Sequence, residues 1–115
     1  VTGSRTALLI NDGSGSFQDR TQEAGLEQWL LDPIHKNPVV LDIDGDGAPD
    51  LASGGGSPAV LYRNDGAGSY TDVTDSALPD DLPEAFWIAG FAAAADDLNQ
   101  DGHDDLYLGR FWYQD

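Results

Sequence analysis

The sequence predicts an all-β fold of four-stranded antiparallel propeller blades, with about two blades' worth of strands arranged as a half blade, a full blade and a half blade. Two repeated patterns support this prediction. An acidic loop that contains glycine occurs twice between short apolar segments, and an Asn-Asp-Gly hairpin pattern also occurs twice. The copies are roughly 50 residues apart, a spacing typical of solenoids and propellers, in which each unit is one small supersecondary motif.

The two acidic loops span residues 42–50 and 97–105. In each loop, side-chain oxygens occupy positions one, three, five and nine, and glycine at position six permits a sharp bend. A backbone carbonyl at position seven adds another oxygen. This oxygen-only, anionic and flexible arrangement suits Ca²⁺, whereas a softer metal would favour His or Cys side chains. The sequence therefore predicts two Ca²⁺ sites, with ligands Asp42, Asp44, Asp46, Ala48 (carbonyl) and Asp50 in one, and Asp97, Asn99, Asp101, His103 (carbonyl) and Asp105 in the other.

Two alternatives to this assignment stay open at the level of sequence. Asp, Asn and Gly also mark turns that hold no metal, and His103 could ligate through its imidazole. A helix-flanked EF-hand is excluded, because it needs an acidic residue at position twelve, where Ser53 and Leu108 stand.

Two carboxylates roughly 5 Å apart repel by about 3 kcal/mol at an effective dielectric near 20. We therefore expect the first loop to splay, or to take up protons, when it holds no cation.

The hairpin pattern defines the order of the elements. Residues 8–21 and 61–74 align, with Phe17 and Tyr70 at matching positions where each return strand begins, and Asn-Asp-Gly supplies the positive φ of a tight turn. The expected regions are a hairpin of a preceding blade, a complete blade with the first loop, and half of a following blade with the second loop. They comprise residues 1–26, 27–78 and 79–115.

The segments that flank the acidic loops have the length and composition of strands. Residues 38–41 are Pro-Val-Val-Leu and residues 106–109 are Leu-Tyr-Leu-Gly. Residues 91–95, Phe-Ala-Ala-Ala-Ala, are open to a helical interpretation because Ala is the best helix former. We favour a strand because the corresponding residues before the first loop are β-branched, and small side chains fit the crowded inner strands of a propeller.

Composition excludes several classes of function. The net charge is −16, and the five basic residues are scattered, which argues against nucleic-acid binding. The apolar run of residues 88–95 is shorter than the ~20 residues of a membrane span. The start at Val1 fits a processed product or a fragment. Acidic calcium loops suit a compartment rich in Ca²⁺, so we expect an extracellular, cell-surface or periplasmic location.

These motifs resemble the FG-GAP or VCBS repeat family, the Ca²⁺-binding blades of integrin α-subunit propellers and of many bacterial secreted proteins. Both loops follow the family pattern Asp-x-Asp-x-Asp-Gly-x-x-Asp-Leu, with Asn99 in place of the second Asp. The segment from Asn11 to Leu26 is similar in sequence to repeats that accompany ASPIC/UnbV domains. The resemblance implies a propeller of about seven blades, used in adhesion, in scaffolding or occasionally in polysaccharide breakdown.

The expected function is that of a calcium-binding structural or interaction module that joins other propeller blades or copies of the same chain, with protein or glycan ligands. The alternative is a Ca²⁺-dependent carbohydrate-active enzyme or a glycan-binding propeller. Its candidate acids are Asp80, Asp81 and Glu84, and its candidate aromatic contacts are Trp29, Trp87, Trp112 and Tyr113. The chain has no nucleophile-elbow or phosphate-loop motif, and we do not expect catalysis.

Overall fold

The computed structural model describes residues 7–26, 38–53, 60–80 and 92–109. These residues form three small antiparallel sheets of two, four and two strands, which confirms the predicted fold class. One short helix, α1, follows the complete sheet. The elements are β1 Leu9–Asn11, β2 Phe17–Asp19, β3 Pro38–Leu41, β4 Asp50–Ser53, β5 Val60–Asn64, β6 Tyr70–Asp72, α1 Thr74–Ala77, β7 Ala92–Asp96 and β8 Asp105–Gly109.

The four-stranded sheet has the strand number and pairing of the predicted complete blade, and we refer to it by that name. Its strands follow the order β3-β4-β5-β6, and each is antiparallel to the next along the chain. The β1–β2 pair corresponds to the outer half of this sheet, and the β7–β8 pair corresponds to its inner half. The alanine-rich segment is strand β7, as predicted, because it pairs with β8 along its whole length.

The complete blade is packed on both faces. Side chains alternate along a strand, so that Tyr62 and Leu61 of β5 point to opposite faces. Tyr62 packs with Ala24 and Leu26 from the segment after β2. Leu61 belongs to a second cluster, whose other members are Leu41, Ala52, Ile43, Val73, Leu78, Ala95 and Leu106. Burial, with Asp72 nearby, raises the pKa of Tyr62 to about 12, which keeps this phenol neutral in the packed core.

The two hairpins are alike in their hydrogen bonds as well as in their sequence. The Thr21 hydroxyl accepts the Leu8 N–H at 2.8 Å and donates to the Asp19 carboxylate at 2.6 Å. The equivalent bonds of Thr74 join it to Leu61 and Asp72 at 2.9 and 2.6 Å. In both hairpins, the same pair of threonine hydroxyl hydrogen bonds therefore joins the end of the second strand to the start of the first.

Helix α1 was not predicted from the sequence; it lies near the end of the region predicted as the complete blade, residues 27–78. The turn begins at the buried Thr74, and the N–H of Ala77 donates to the carbonyl of Val73 at 2.9 Å. Four residues are too few to show a 3.6-residue apolar period. Backbone hydrogen bonds close this turn: the N–H groups of Ser76 and Ala77 donate to the carbonyl of Val73, and that of Leu78 donates to the carbonyl of Thr74.

Several sequence predictions fall outside the described residues. The division into three regions stays a prediction, because residues 27–37 and 81–91 are not described. Within the described residues, no helix is both long enough and apolar enough to cross a membrane. The predicted candidates that lie outside them are Trp29, Asp81, Glu84, Trp87, Trp112 and Tyr113.

Candidate metal centre

The first acidic loop connects β3 to β4, and the sheet fixes its two ends. Leu41 and Asp50 are register partners, so the loop leaves and re-enters the sheet at one point. One carboxylate oxygen from each of Asp42, Asp44 and Asp50 lies within 4.8 Å of the others. The structure therefore gathers three of the four predicted side-chain ligands into one cluster.

The backbone of this loop folds around the Asp42 carboxylate. Its Oδ1 accepts the N–H of Gly45 at 2.8 Å, and its Oδ2 accepts the N–H of Gly47 at 2.9 Å. Both glycines have positive φ, 75° and 84°, a conformation in which a side chain would be strained. Glycine at these positions therefore permits the bend that turns the ligand oxygens inward.

Asp50 is the most deeply placed carboxylate of the cluster. Its exposed fraction is 0%. Its Oδ2 accepts the N–H of Ile43 at 2.6 Å, and its Oδ1 accepts the N–H of Asn64 at 2.7 Å. These two bonds offset part of the cost of burying a charge. Since Asn64 belongs to β5, the third strand of the blade helps to fix the ninth position of the loop.

Asn64 was missed by sequence reasoning as a residue of the site. Its Nδ2 donates to the carbonyl of Pro49 at 2.9 Å, and its Oδ1 accepts the N–H of Gly66 at 2.9 Å. The side chain thus joins the hairpin turn to the end of the acidic loop. The signal that could have revealed it was the Asn-Asp-Gly pattern, which was interpreted only as a turn.

The second acidic loop connects β7 to β8 and follows the same design. The Asp97 carboxylate accepts the N–H groups of Asp101 and Gly102 at 3.0 and 2.7 Å. Asp105 accepts the N–H of Leu98 at 2.8 Å, as Asp50 does from the second residue of its loop. Gly102, at position six, also has positive φ, 92°. The two loops therefore share their backbone course.

The second loop differs from the first in how far its ligands converge. Among the described residues, its three predicted carboxylate ligands, Asp97, Asp101 and Asp105, do not form a cluster like that of the first loop. Asp105 is partly exposed, and no described strand lies on the outer side of β8. The amide of Asn99 and the carbonyl of His103 stay predicted ligands.

Residues 42–108 match the family model of the FG-GAP-like repeat. The match covers more than half of the chain. The chain belongs to this family. The matched segment begins at the first residue of the first loop and extends to β8. The FG-GAP-like repeat therefore includes both acidic loops and the hairpin between them. No curated protein matches the chain.

An arginine that sequence reasoning treated as a scattered surface residue lies at the first loop. The Arg63 guanidinium contacts the carboxylate of Asp44, and its distance to Asp46 Oδ2 is 3.5 Å. This contact holds the pKa of the Asp44 carboxyl below its ordinary value of 3.8. Because that pKa is lowered, the ion pair stabilises the fold at pH values above the ordinary pKa. This stabilisation is lost as the pH falls through the lowered pKa of Asp44.

Arg63 also acts on the other carboxylates of the loop. Its guanidinium and the inward N–H groups offset part of the repulsion between these carboxylates. That the loop splays or takes up protons without a cation stays a prediction. Asp46 is absent from the three-carboxylate cluster: its Oδ1 accepts the N–H of Ala48 at 2.8 Å, and its Oδ2 faces Arg63. Its role as a ligand stays a prediction.

The chemistry of the cluster fits a hard divalent cation. All three converging groups are carboxylates, and no sulfur or imidazole ligand is among them. Ca²⁺ is bound by six to eight oxygens at roughly 2.3–2.6 Å in flexible geometry. Carboxylates of Asp42, Asp44 and Asp50 would hold such an ion in this FG-GAP-like repeat.

Proposed function

We propose that this FG-GAP-like repeat is a calcium-binding structural module of a secreted or cell-surface β-propeller, with one Ca²⁺ in each acidic loop. The convergence of Asp42, Asp44 and Asp50 is the observation that supports this proposal most strongly. Backbone N–H groups hold the carboxylates of Asp42 and Asp50, and a preorganised ligand set reduces the ordering cost of binding. The surplus of negative charge in the loop provides the attraction.

A cation in the first loop would join three strands of the blade. Asp42 directly follows β3, Asp50 begins β4, and Asp50 also accepts a hydrogen bond from β5 through Asn64. Because the ion binds the folded loop and not the unfolded chain, binding stabilises the folded state by mass action. The gain is about 2.7 kcal/mol at a free ion concentration of 100 Kd. The role we propose for the ion is therefore structural.

We also propose that the module assembles with other propeller blades or with copies of the same chain. The complete blade is already covered on both faces by its neighbours. Large apolar side chains of the half blades are exposed, among them Leu9 (54%), Phe17 (61%) and Tyr107 (62%). Further blades would bury such faces, since repeat units are stabilised by their neighbours. Adhesion or scaffolding, with protein or glycan ligands, is the biological role that this proposal favours.

We propose no catalytic role. The carboxylates of the first loop are engaged by backbone N–H groups and by Arg63, which suits the binding of an ion better than proton transfer. Of the three candidate acids of the enzyme alternative, Asp80 lies among the described residues, and it is exposed. A carbohydrate-active alternative has no further support among the described residues.

Calorimetric titration with Ca²⁺ tests the proposal. We expect two sites, and the second loop should bind more weakly because it offers three carboxylates where the first offers four. Asp46→Ala should remove one site and Asp101→Ala the other, since both stand at position five. Asp75→Ala removes the same charge from α1 and should leave both sites intact. The absence of binding, or a preference for Zn²⁺ over Ca²⁺, would contradict the proposal, and equal affinities would contradict the ligand assignment.

A further inference from the structure

A single hydrogen bond connects the two acidic loops. The N–H of Asp42, the first residue of the first loop, donates to Asp104 Oδ2 of the second loop at 2.9 Å. Asp104 stands at position eight of its loop and is not one of the predicted ligands. The first loop has Pro49 at that position, so this carboxylate is a feature of the second loop alone.

The packing of the two sheets holds these loops side by side. Ala95 of β7 and Leu106 of β8 pack against the core that contains Leu41 and Leu61 of the complete blade. Each loop follows the first strand of its own sheet. Because Leu41 lies in this interface and Asp42 is the next residue, the first ligand of one loop is placed beside the other loop.

Both ends of the hydrogen bond belong to or adjoin predicted ligands. Asp42 is itself a predicted ligand, and its two oxygens organise the bend of the first loop. Asp104 lies between His103 and Asp105, at positions seven and nine of the second loop. An ion that orders these two neighbours would also fix the carboxylate between them.

The second loop satisfies its own first N–H differently. The N–H of Asp97 donates to Asp96 Oδ1 at 2.8 Å, an acceptor from the preceding residue. In the first loop the corresponding preceding residue is Leu41, which offers no side-chain acceptor. The backbone of Asp42 therefore depends on the neighbouring blade for a bond that the second loop makes locally.

We propose that Asp104 is a positioning residue that couples the two calcium loops, so that Ca²⁺ in the second loop raises the affinity of the first. The coupling rests on the function proposed above. An ion in the second loop orders Asp104, Asp104 fixes the backbone of Asp42, and the first loop then loses less conformational freedom when it binds. Coupling of this kind is reciprocal, so Ca²⁺ in the first loop raises the affinity of the second by the same factor.

An NMR titration that follows the amide of Gly47 reports the affinity of the first loop and tests the coupling. In the otherwise unchanged chain, Asp101→Ala disables the second loop and should weaken the first loop about fivefold, near the lower limit of typical couplings because Asp104 is exposed. In a chain that carries Asp104→Ala, adding Asp101→Ala should leave the affinity of the first loop unchanged. A purely structural role for Asp104 would lower stability and leave the fivefold difference in place.

Two further variants decide between explanations. Asp104→Asn keeps an oxygen that can accept the Asp42 N–H, and it should restore the coupling; failure to restore it would overturn the hydrogen-bond route. Asp75→Ala removes one charge outside both loops and should retain the fivefold difference. If the unchanged chain binds no Ca²⁺, the proposed function fails. If both loops bind and Asp101→Ala leaves the first loop unaffected, the coupling alone is wrong.

Discussion

Asp50→Ala is expected to lower the free energy of unfolding in saturating Ca²⁺ by at least about 3 kcal/mol. The substitution removes a fully buried carboxylate and leaves the N–H groups of Ile43 and Asn64 without their acceptor. It also removes a ligand of the proposed site. Without Ca²⁺ the loss should be smaller, because repulsion from Asp42 and Asp44 is relieved. Urea denaturation with and without Ca²⁺ measures both values.

Asp105→Ala is the matched control for this prediction. Asp105 occupies the same position of the second loop, but it is partly exposed and accepts its hydrogen bonds from within its own loop. Without Ca²⁺ the expected loss is about 1 kcal/mol, because water can replace an exposed partner. Equal losses for the two variants would show that the contribution of β5 to the first loop is negligible.

Leu61→Ala is expected to cost about 3 kcal/mol, within the usual range for truncating a buried leucine. Leu61 is 4% exposed and lies in the cluster shared by the complete blade and the β7–β8 pair. The cavity would therefore open between two blades rather than inside one. Because it weakens that contact, the variant should also loosen the link between the two loops. Chemical denaturation measures the stability.

Val40→Ala removes an aliphatic side chain from the same sheet at a position that is 62% exposed. Its expected loss is within about 0.5 kcal/mol, as for other surface substitutions. A small effect of Leu61→Ala, similar to that of Val40→Ala, would mean that the two sheets do not pack together in solution. The comparison thus tests the blade interface independently of any metal.

The strands and loops were predictable because they are local. Short apolar segments, glycine at position six and the repeated Asn-Asp-Gly turn specify each segment within a few residues, and the structure follows them. The small helix α1 escaped prediction because four residues are too few to show the 3.6-residue apolar period by which a helix is recognised. The identity of β7 was decided by its pairing with β8, although its alanines are good helix formers.

The residues that complete the site were not predictable from the loop motif. Asn64 and Arg63 reach the first loop because β5 pairs with β4, and Asp104 reaches it because a second sheet packs alongside. Each contact joins segments far apart in the sequence. The inequality of the two loops has the same origin, since Asp50 has a third strand beside it and the described part of the chain provides none for Asp105.

The most direct test of the central claim is a set of ¹⁵N-¹H NMR spectra of the chain at increasing Ca²⁺ concentration. The amides of Gly47 and Gly102 each donate to the first carboxylate of a loop, so both should shift until the sites are full. The hairpin glycines Gly13 and Gly15 donate to the side chain of Asn11, outside the acidic loops, and serve as internal controls that should stay in place. Loop glycines that do not respond to Ca²⁺, or hairpin glycines that shift as far as they do, would contradict the assignment of these loops as calcium sites.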